Sequence, residues 1–313
     1  MVRKATAAGR FYEDDPEALR GQIRSCFTHP LGPGTLRPSP RQPGRQEVRE
    51  PVVGAIVPHA GLMFSGMCAA HVYQELAQEL AAQEEEPVFL ILGVNHTGYG
   101  STSLLLEDFE TPLGIAKVDQ KLGRHLMEQV GIPDDPLAHR HEHSIEVQLP
   151  FLQTIFRKFT FVPLILNEMD GLTELSRKIG DTVASFEQES HKSHRKVIVL
   201  ASADFTHYGP RYGYVPFTGR VQEQLRQLDQ GAIDTILRMD PDAFIGYLRK
   251  TEATICGALT IPSLLTILDR RTQGTGKHIV PKLLKYYTSG DLLQDHENTV
   301  SYASIVFRET REA

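Results

Sequence analysis

Residues 51–67 read PVVGAIVPHAGLMFSGM, and we expect the rest of the chain to be arranged around them. Residues 52–57 form a short, apolar, β-branched run that predicts a buried strand. Pro58 and Gly61 then bracket His59 at the point where the chain must turn. In open α/β sheets, ligands bind in the crevice outside the carboxyl ends of the strands. A titratable side chain in this place therefore indicates a candidate site.

Two further segments repeat this design. Residues 88–94, VFLILGV, are followed closely by His96, and residues 196–202, KVIVLAS, are followed by Asp204 and His207. A lone histidine after a strand is more often a turn residue than a ligand. Three strands that end in the same way instead predict that the side chains meet at one edge of a sheet.

Composition limits the class of protein. The 313 residues are 41% hydrophobic and 23% charged, which is typical of a globular protein with a substantial core. A net charge of −6 argues against nucleic acid as a partner, and no apolar run approaches the roughly 18 residues that span a bilayer. The amino terminus lacks the apolar core of a secretory signal. Cys26, Cys68 and Cys256 form no disulfide framework, so we expect a reduced cytoplasmic protein. From its charge and its short apolar runs, we expect it to bind neither nucleic acid nor membranes.

The rest of the chain alternates between helical and strand patterns. The first helix is predicted to begin at Pro16 behind an acidic cap, and residues 7–12, AAGRFY, predict an edge strand or an ordered arm. Residues 29–50 are rich in proline, glycine and arginine, which predicts a mobile surface loop. Further helices are predicted at residues 66–83, 119–130, 171–189, 220–237, 241–250 and 258–270, and further strands at 104–108, 114–119, 159–166, 278–291 and 300–307. Without a repeat or a second linker, residues 1–313 predict one domain.

A dense polar patch occupies residues 140–150, RHEHSIEVQLP. Ser144 predicts the N-cap of a helix that continues to Phe156. Clustered histidines specify a site only loosely, and exposure is as good an interpretation for His139 and His141 as metal binding. The members of the patch that adjoin the predicted helix start, Glu142 and His143, are the better candidates.

Cys256 lies at the front of the helix predicted for residues 258–270. Unpaired backbone N–H groups at a helix N-terminus favour the thiolate. The thiolate is the form of cysteine that binds metals and attacks electrophiles, so Cys256 joins the candidate site.

Several motifs, in this order, resemble those of the Memo family, of the AmmeMemoRadiSam system protein B type. They are PHAG with SG (58–66), LGVNH (92–96), EHSIEVQLPF (142–151), SADFTHYG (202–209), TICG (254–257) and VSYAS (300–304). The similarity runs from AGRFY to the carboxyl end, apart from residues 29–50. That family is similar in fold to class III extradiol dioxygenases, non-haem iron enzymes that open catechol rings. The resemblance implies a single α/β domain with a mixed central sheet and helices on both faces.

The resemblance also implies a ligand set. The family's metal ligands fall on His59, His96 and Cys256, with Asp204 and His207 beside them. His207 matches the acid/base histidine of the dioxygenases, and His143 lies in a family motif as a third catalytic candidate. In the dioxygenases the third ligand is a carboxylate, which suits iron(II). The resemblance therefore makes iron(II) the first expectation. A thiolate is softer than a carboxylate, so copper or zinc would also suit these donors.

Three functions stay open. The first is a metal-dependent, dioxygenase-like oxidoreductase that acts on a small molecule. The second is a non-catalytic module whose cleft binds a peptide or a protein. The third is a zinc hydrolase with Glu142, Glu146 or Asp204 as the base; it ranks last because the sequence has no HExxH motif. Prokaryotic relatives are associated with radical-SAM and AMMECR1-type proteins, so the resemblance also allows a component of a multi-protein modification system.

Overall fold

The computed structural model describes residues 1–34, 50–80, 86–189 and 196–311. The strands are β1 (Val2–Arg3), β2 (Val52–Val57), β3 (Val88–Val94), β4 (Ser103–Leu104), β5 (Asp108–Thr111), β6 (Gly114–Val118), β7 (Thr160–Leu166), β8 (Val197–Ser202), β9 (His207–Tyr208), β10 (Lys277–Thr288) and β11 (Thr299–Arg311). The α-helices are α1 (Pro16–Thr28), α2 (Leu62–Leu80), α3 (Gln120–Val130), α4 (Pro136–His139), α5 (Leu149–Ile155), α6 (Leu172–Glu189), α7 (Val221–Leu237), α8 (Pro241–Thr251), α9 (Thr260–Thr272) and α10 (Ser289–Leu293). Short 3₁₀ turns occupy Glu146–Gln148, Pro210–Tyr212 and Cys256–Ala258.

Four parallel strands, in the order β7, β3, β8, β2, form the centre of the sheet. Their near-continuous apolar sequences fit strands that are covered on both faces. Val57, at the end of β2, pairs with Ser202 at the end of β8. The two neighbouring strands therefore release the chain at the same level of the sheet.

The sheet is mixed, and helices cover both of its faces. β11 runs antiparallel to β2, and β10 runs antiparallel to β11. Within β3, Phe89 and Ile91 belong to one core with residues of α1, α2 and α5, whereas Leu90 and Leu92 belong to a second core with residues of α6 and α9. Successive residues of a strand point to opposite faces, so each core fills one side. The predicted α/β class, with a mixed sheet and helices on both faces, is confirmed.

Three predicted element boundaries are wrong. The strand predicted for residues 278–291 ends at Thr288, because Thr288 caps the helix α10 that begins at Ser289. Helix α2 begins at Leu62 rather than residue 66, because the Leu62 N–H is bonded to the Phe11 carbonyl while the Phe64 and Ser65 N–H groups turn back to Gly61. The predicted strand at residues 104–108 is divided between the ends of β4 and β5. The Leu106 N–H between them donates to Asp134 rather than to a neighbouring strand.

The predicted helix cap at Ser144 is also wrong. Its hydroxyl accepts a hydrogen bond from Val94 N at 3.1 Å and lies 3.2 Å from Val94 O, so it ties this segment to the end of β3. A 3₁₀ turn follows, and α5 begins only at Leu149. Pro150 lies in the first turn of α5, where its missing N–H costs no helical hydrogen bond.

Two predicted segments extend beyond the described residues. Most of the proline-rich segment, residues 35–49, lies outside the described residues, as does the predicted end of the second helix beyond Leu80. None of the described helices has both the length and the apolarity that crossing a bilayer requires.

The amino-terminal segment is an ordered arm, held by a buried ion pair. Arg3 donates to Glu146 Oε2 at 2.6 Å, and the two side chains are 5% and 0% exposed. The same guanidinium donates to the carbonyl oxygens of Glu142 and His139. Tyr12 donates its hydroxyl proton to the other oxygen of Glu146. The arm thereby fixes the segment that carries Glu142.

Arg3→Ala is expected to lower the free energy of unfolding by about 3–5 kcal/mol, because it leaves the Glu146 carboxylate buried without its countercharge. Lys4→Ala is the matched control, since the neighbouring Lys4 pairs with Glu110 at the surface, with side chains 79% and 38% exposed. It should cost no more than about 1 kcal/mol. Urea unfolding of both variants measures the difference, and equal losses would show that the buried pair does not hold the arm.

Candidate metal centre

Segments far apart in the sequence meet at the carboxyl ends of β2, β3 and β8. His59 follows β2, His96 follows β3, and Cys256 comes from the 3₁₀ turn before α9. One ligand atom from each of the three lies within 4.8 Å of the others. The rings of His59 and His96 stand edge to face, with their centroids 5.1 Å apart. The structure thus brings together all three predicted ligands.

His59 is 1% exposed and is held from behind by a hydroxyl group. Its Nδ1 lies 3.0 Å from the Oγ of Ser202. Its Nε2 is buried and has no hydrogen-bond partner among the described residues. Burial lowers the pKa of His59 well below its usual value, and the nearby His96 adds to this shift. A neutral ring can therefore offer a lone pair to a cation.

His96 is held in a similar way, by a carboxylate. Its Nδ1 lies 2.9 Å from Glu142 Oε1, and its backbone N–H donates to Glu142 Oε2 at 2.7 Å. Burial alone would raise the pKa of Glu142, but the hydrogen bond with His96 and the nearby imidazole rings oppose this effect and bring the pKa to about 2. The carboxylate therefore stays ionised and leaves the Nε2 of His96 free to act as a ligand. Glu142 orients a ligand, a role that the sequence did not indicate.

Gly93 permits this close approach of the Glu142 segment to β3. A Cβ atom at position 93 would lie 2.6 Å from the Cγ1 of Ile145 and 2.9 Å from the Oγ of Ser144. Real Cβ atoms do not approach other atoms that closely. The strand therefore needs a glycine at this position.

His143 lies between two other rings. Its centroid is 4.0 Å from that of Phe11 and 4.6 Å from that of His96, and both pairs are stacked. Burial, reinforced by the nearby His59, lowers the pKa of His143 to about 3. The ring is therefore neutral at physiological pH, and together with His96 and Glu142 it forms a second group of donors.

Asp204 and His207 flank the three predicted ligands. Asp204 Oδ1 accepts from His59 N at 2.8 Å and from Ala60 N at 3.3 Å, which fixes the turn that carries His59. Burial raises the pKa of Asp204. The Nδ1 of His207 lies 3.1 Å from the carbonyl oxygens of Phe205 and Thr254, which can only accept. Nδ1 therefore carries a proton, and the Nε2 of His207, 3.7 Å from Cys256 Sγ, is the basic atom of the neutral ring.

The expectation that Cys256 is a thiolate is wrong for the metal-free protein. Burial raises the pKa of the Cys256 thiol, and the charges of Asp204 and Glu142 raise it further. These effects on the pKa outweigh the influence of the helix N-terminus, because Cys256 lies in the 3₁₀ turn and α9 begins four residues later. A bound cation would reverse the balance, since coordination stabilises the thiolate.

These side chains line an open cleft of about 510 Å³. Four aromatic residues, Phe11, Phe64, Tyr212 and Tyr302, contribute to its walls. The ring of Tyr212 stands edge to face with that of His207, 5.2 Å between centroids. An ion in the cleft would have room beside it for a small organic molecule.

The remaining candidates lie elsewhere. Both oxygens of Glu146 are engaged by Arg3 and the amino-terminal arm, so the prediction that it could act as a hydrolytic base is not supported. His139 is buried with its Nε2 3.0 Å from Ser103 O, and His141 is exposed.

Two groups behind the site, Ser202 and Gln148, were not predicted from the sequence. Only the position of Ser202 at the last residue of a strand could have indicated its role.

The chain matches the family model described as Memo-like protein over residues 3–306. A MEMO1 family protein of Methanopyrus kandleri is 37% identical over 312 residues, which cover 98% of this chain and 99% of the relative. A MEMO1 family protein of Methanothermobacter thermautotrophicus is 38% identical over 308 residues, covering 97% and 100%. The crystal structure of an uncharacterized Escherichia coli K12 protein superposes with a TM-score of 0.46 at 13% identity, covering 82% of this chain and 99% of that one. At that similarity, nothing about function passes from it to this chain.

The neutral state of His143 should make the stability of the metal-free protein depend on pH. An unfolded histidine takes up a proton below about pH 6.5, whereas folded His143 does so only near its pKa of about 3. Between these values the unfolded state binds more protons, so stability falls as pH falls. Urea unfolding from pH 7 to 4 measures this dependence. The free energy of unfolding of His143→Gln should fall less steeply than that of the natural protein, by up to about 1.4 kcal/mol per pH unit.

His141→Gln is the control for this experiment, because the side chain of His141 is exposed and meets water in both states. It should keep the slope of the natural protein. A slope that is equally steep in His143→Gln would contradict the neutral state of His143.

Proposed function

This chain belongs to the Memo-like protein family, and we propose that its cleft binds one transition-metal ion and supports redox chemistry on a small molecule. His59, His96 and Cys256 would hold the ion. The observation that carries this proposal is the convergence of their three donor atoms within 4.8 Å, although they come from separate parts of the chain.

The donors fit such an ion. The Nε2 of His59 is buried and has no hydrogen-bond partner among the described residues, and a cation would satisfy it. The Nε2 of His96 is left free in the same way by Glu142. Two imidazoles and a thiolate form a borderline-to-soft set that suits iron(II), copper or zinc better than magnesium or calcium. Iron(II) or copper would support electron transfer, so these two ions agree best with the proposed redox function.

The bound metal would supply a redox-active Lewis acid. The surrounding residues have separate roles. The Nε2 of His207 is the basic atom best placed to accept or return a proton in the cleft. Asp204 holds the turn of His59, and the ring of His143, stacked on Phe11, forms part of one wall of the cleft. His207 therefore carries the acid/base function in this proposal, and Asp204 and His143 shape the site around it.

The aromatic walls favour a second candidate function, the binding of a peptide without catalysis. Tyr212 and Phe64 would contact an aromatic or aliphatic side chain of such a peptide. The two functions differ in their dependence on metal. Peptide binding that survives chelation would favour the second, whereas turnover of a small molecule that is lost on chelation and restored by iron(II) or copper would favour the first.

His59→Ala, His96→Ala and Cys256→Ser should each reduce the metal content of protein purified without oxygen to less than about a tenth of the natural value, because each removes one of three donors. Elemental analysis by mass spectrometry measures this content. Cys26→Ser is the matched control, since Cys26 is buried away from the cleft and its Sγ faces the Leu62 carbonyl, which can accept from a serine hydroxyl. Undiminished metal in Cys256→Ser would remove the thiolate from the ligand set.

Metal binding should also release a proton from Cys256. Burial raises the pKa of this thiol, so it is protonated at neutral pH and must lose its proton to coordinate. The affinity of the protein for the metal ion should therefore rise with pH. Titration calorimetry in two buffers of different ionisation enthalpy should show that the natural protein releases about one proton more per ion than Cys256→Ala does. Equal release by both would exclude coordination by the thiolate.

A further inference from the structure

We propose that Ser202 is a positioning residue that fixes His59 as the Nδ1–H tautomer and so directs the Nε2 lone pair of His59 into the cleft. The inference deepens the proposed metal site and rests on it for its effect on affinity. Its first step concerns the metal-free protein alone and can be tested without any ion.

The hydrogen bonds of Ser202 determine which atom donates. Its Oγ lies 2.6 Å from the carbonyl oxygen of Ser144. A carbonyl oxygen can only accept, so the single hydroxyl proton of Ser202 points there. Towards every other neighbour, Ser202 can offer only a lone pair.

The amide of Gln148 takes one of those lone pairs. Its Nε2 lies 2.8 Å from Ser202 Oγ and 3.1 Å from Pro58 O. Tyr73 donates its hydroxyl proton to the other end of the amide, Oε1, at 2.6 Å. The Pro58 carbonyl and the Tyr73 hydroxyl together fix the orientation of the amide, so Nε2 is the atom that donates to Ser202.

The remaining lone pair of Ser202 faces His59 Nδ1 at 3.0 Å. Because Ser202 has no second proton to give, Nδ1 must supply the proton of this bond. A neutral imidazole carries one proton, so Nε2 is left with a lone pair. In the opposite tautomer the proton would lie on Nε2, and the lone pair of Nδ1 would face the lone pair of Ser202 Oγ. That Nε2–H would have no hydrogen-bond acceptor among the described residues, since Asp204 Oδ2 lies 3.9 Å away, which is too far.

Ser202 can hold the ring firmly because it is itself immobile. It is fully buried at the last position of β8 and pairs there with Val57, two residues before His59. Its hydroxyl joins β8 to Ser144 and Gln148 as well as to the ring. No described side chain other than Ser202 forms a hydrogen bond with Nδ1 of His59. Loss of the hydroxyl would leave the ring only the hydrogen bond to the Ser202 backbone, so the preference for the Nδ1–H tautomer would weaken.

The test compares the natural protein with Ser202→Ala, Ser202→Thr and a control. Long-range ¹H–¹⁵N spectra of the metal-free protein at one neutral pH report the tautomer of each histidine. Zinc(II) affinity is measured by competition with a chelating indicator. Ser176→Ala is the control, because Ser176 is also fully buried but its hydroxyl donates within its own helix, to Leu172 O.

We expect His59 to be the Nδ1–H tautomer in the natural protein, in Ser202→Thr and in Ser176→Ala. Ser202→Ala should give a mixture of tautomers and a zinc affinity lower by about 10–100-fold, the usual effect of losing a group that orients a ligand. A general loss of stability would not change the tautomer of one ring while leaving those of His139 and His207 as they were.

Nε2–H at His59 in the natural protein would overturn the inference, and so would an unchanged tautomer and zinc affinity in Ser202→Ala. Should Ser202→Ala not fold, the natural protein and Ser202→Thr decide the matter through the same spectra. If the natural protein binds no zinc, iron or copper but the tautomer follows the hydroxyl, the proposed metal function fails while the role of Ser202 stands.

Discussion

The parallel register of β2, β8 and β3 is the constraint on which the site depends. Val57 pairs with Ser202, and Leu92 of β3 pairs with Ala201 of β8. The three strands therefore release the chain at one edge of the sheet, where His59, Asp204 and His96 follow. A slip of one residue would turn every side chain of a strand to the opposite face, and the two buried cores exclude such a slip. The chemistry of the cleft is thus a consequence of how the sheet is packed.

A second set of polar groups lies behind the two imidazoles and turns them towards the cleft. Ser202 contacts Nδ1 of His59, and Glu142 contacts Nδ1 of His96. The Glu142 segment is in turn fastened by Arg3, which reaches it from the amino-terminal arm. The metal-free cleft therefore presents nitrogen lone pairs, an ionised carboxylate at Glu142 and a protonated thiol at Cys256. A cation would satisfy the lone pairs and favour ionisation of the thiol.

The features that could be predicted from the sequence are those set by neighbouring residues. Short apolar runs followed by proline, glycine and histidine predicted β2, β3 and β8, and the parallel order of such strands predicted that His59 and His96 would meet. The pairing of Arg3 with Glu146 could not be predicted, because 143 residues separate the two charges. The state of Cys256 was predicted wrongly because a local rule about helix ends was applied to a thiol whose pKa is controlled by burial and by distant carboxylates. The Ser144 cap failed for a similar reason, since its hydroxyl bonds to β3 rather than to its own segment.

X-ray absorption at the zinc edge of zinc-loaded protein tests most directly whether two imidazoles and one sulfur bind the same cation. The convergence of His59, His96 and Cys256 predicts one sulfur scatterer at about 2.3 Å together with nitrogen scatterers at about 2.0–2.1 Å, and loss of the sulfur shell in Cys256→Ala. A spectrum of the natural protein that contains only nitrogen and oxygen neighbours would contradict it.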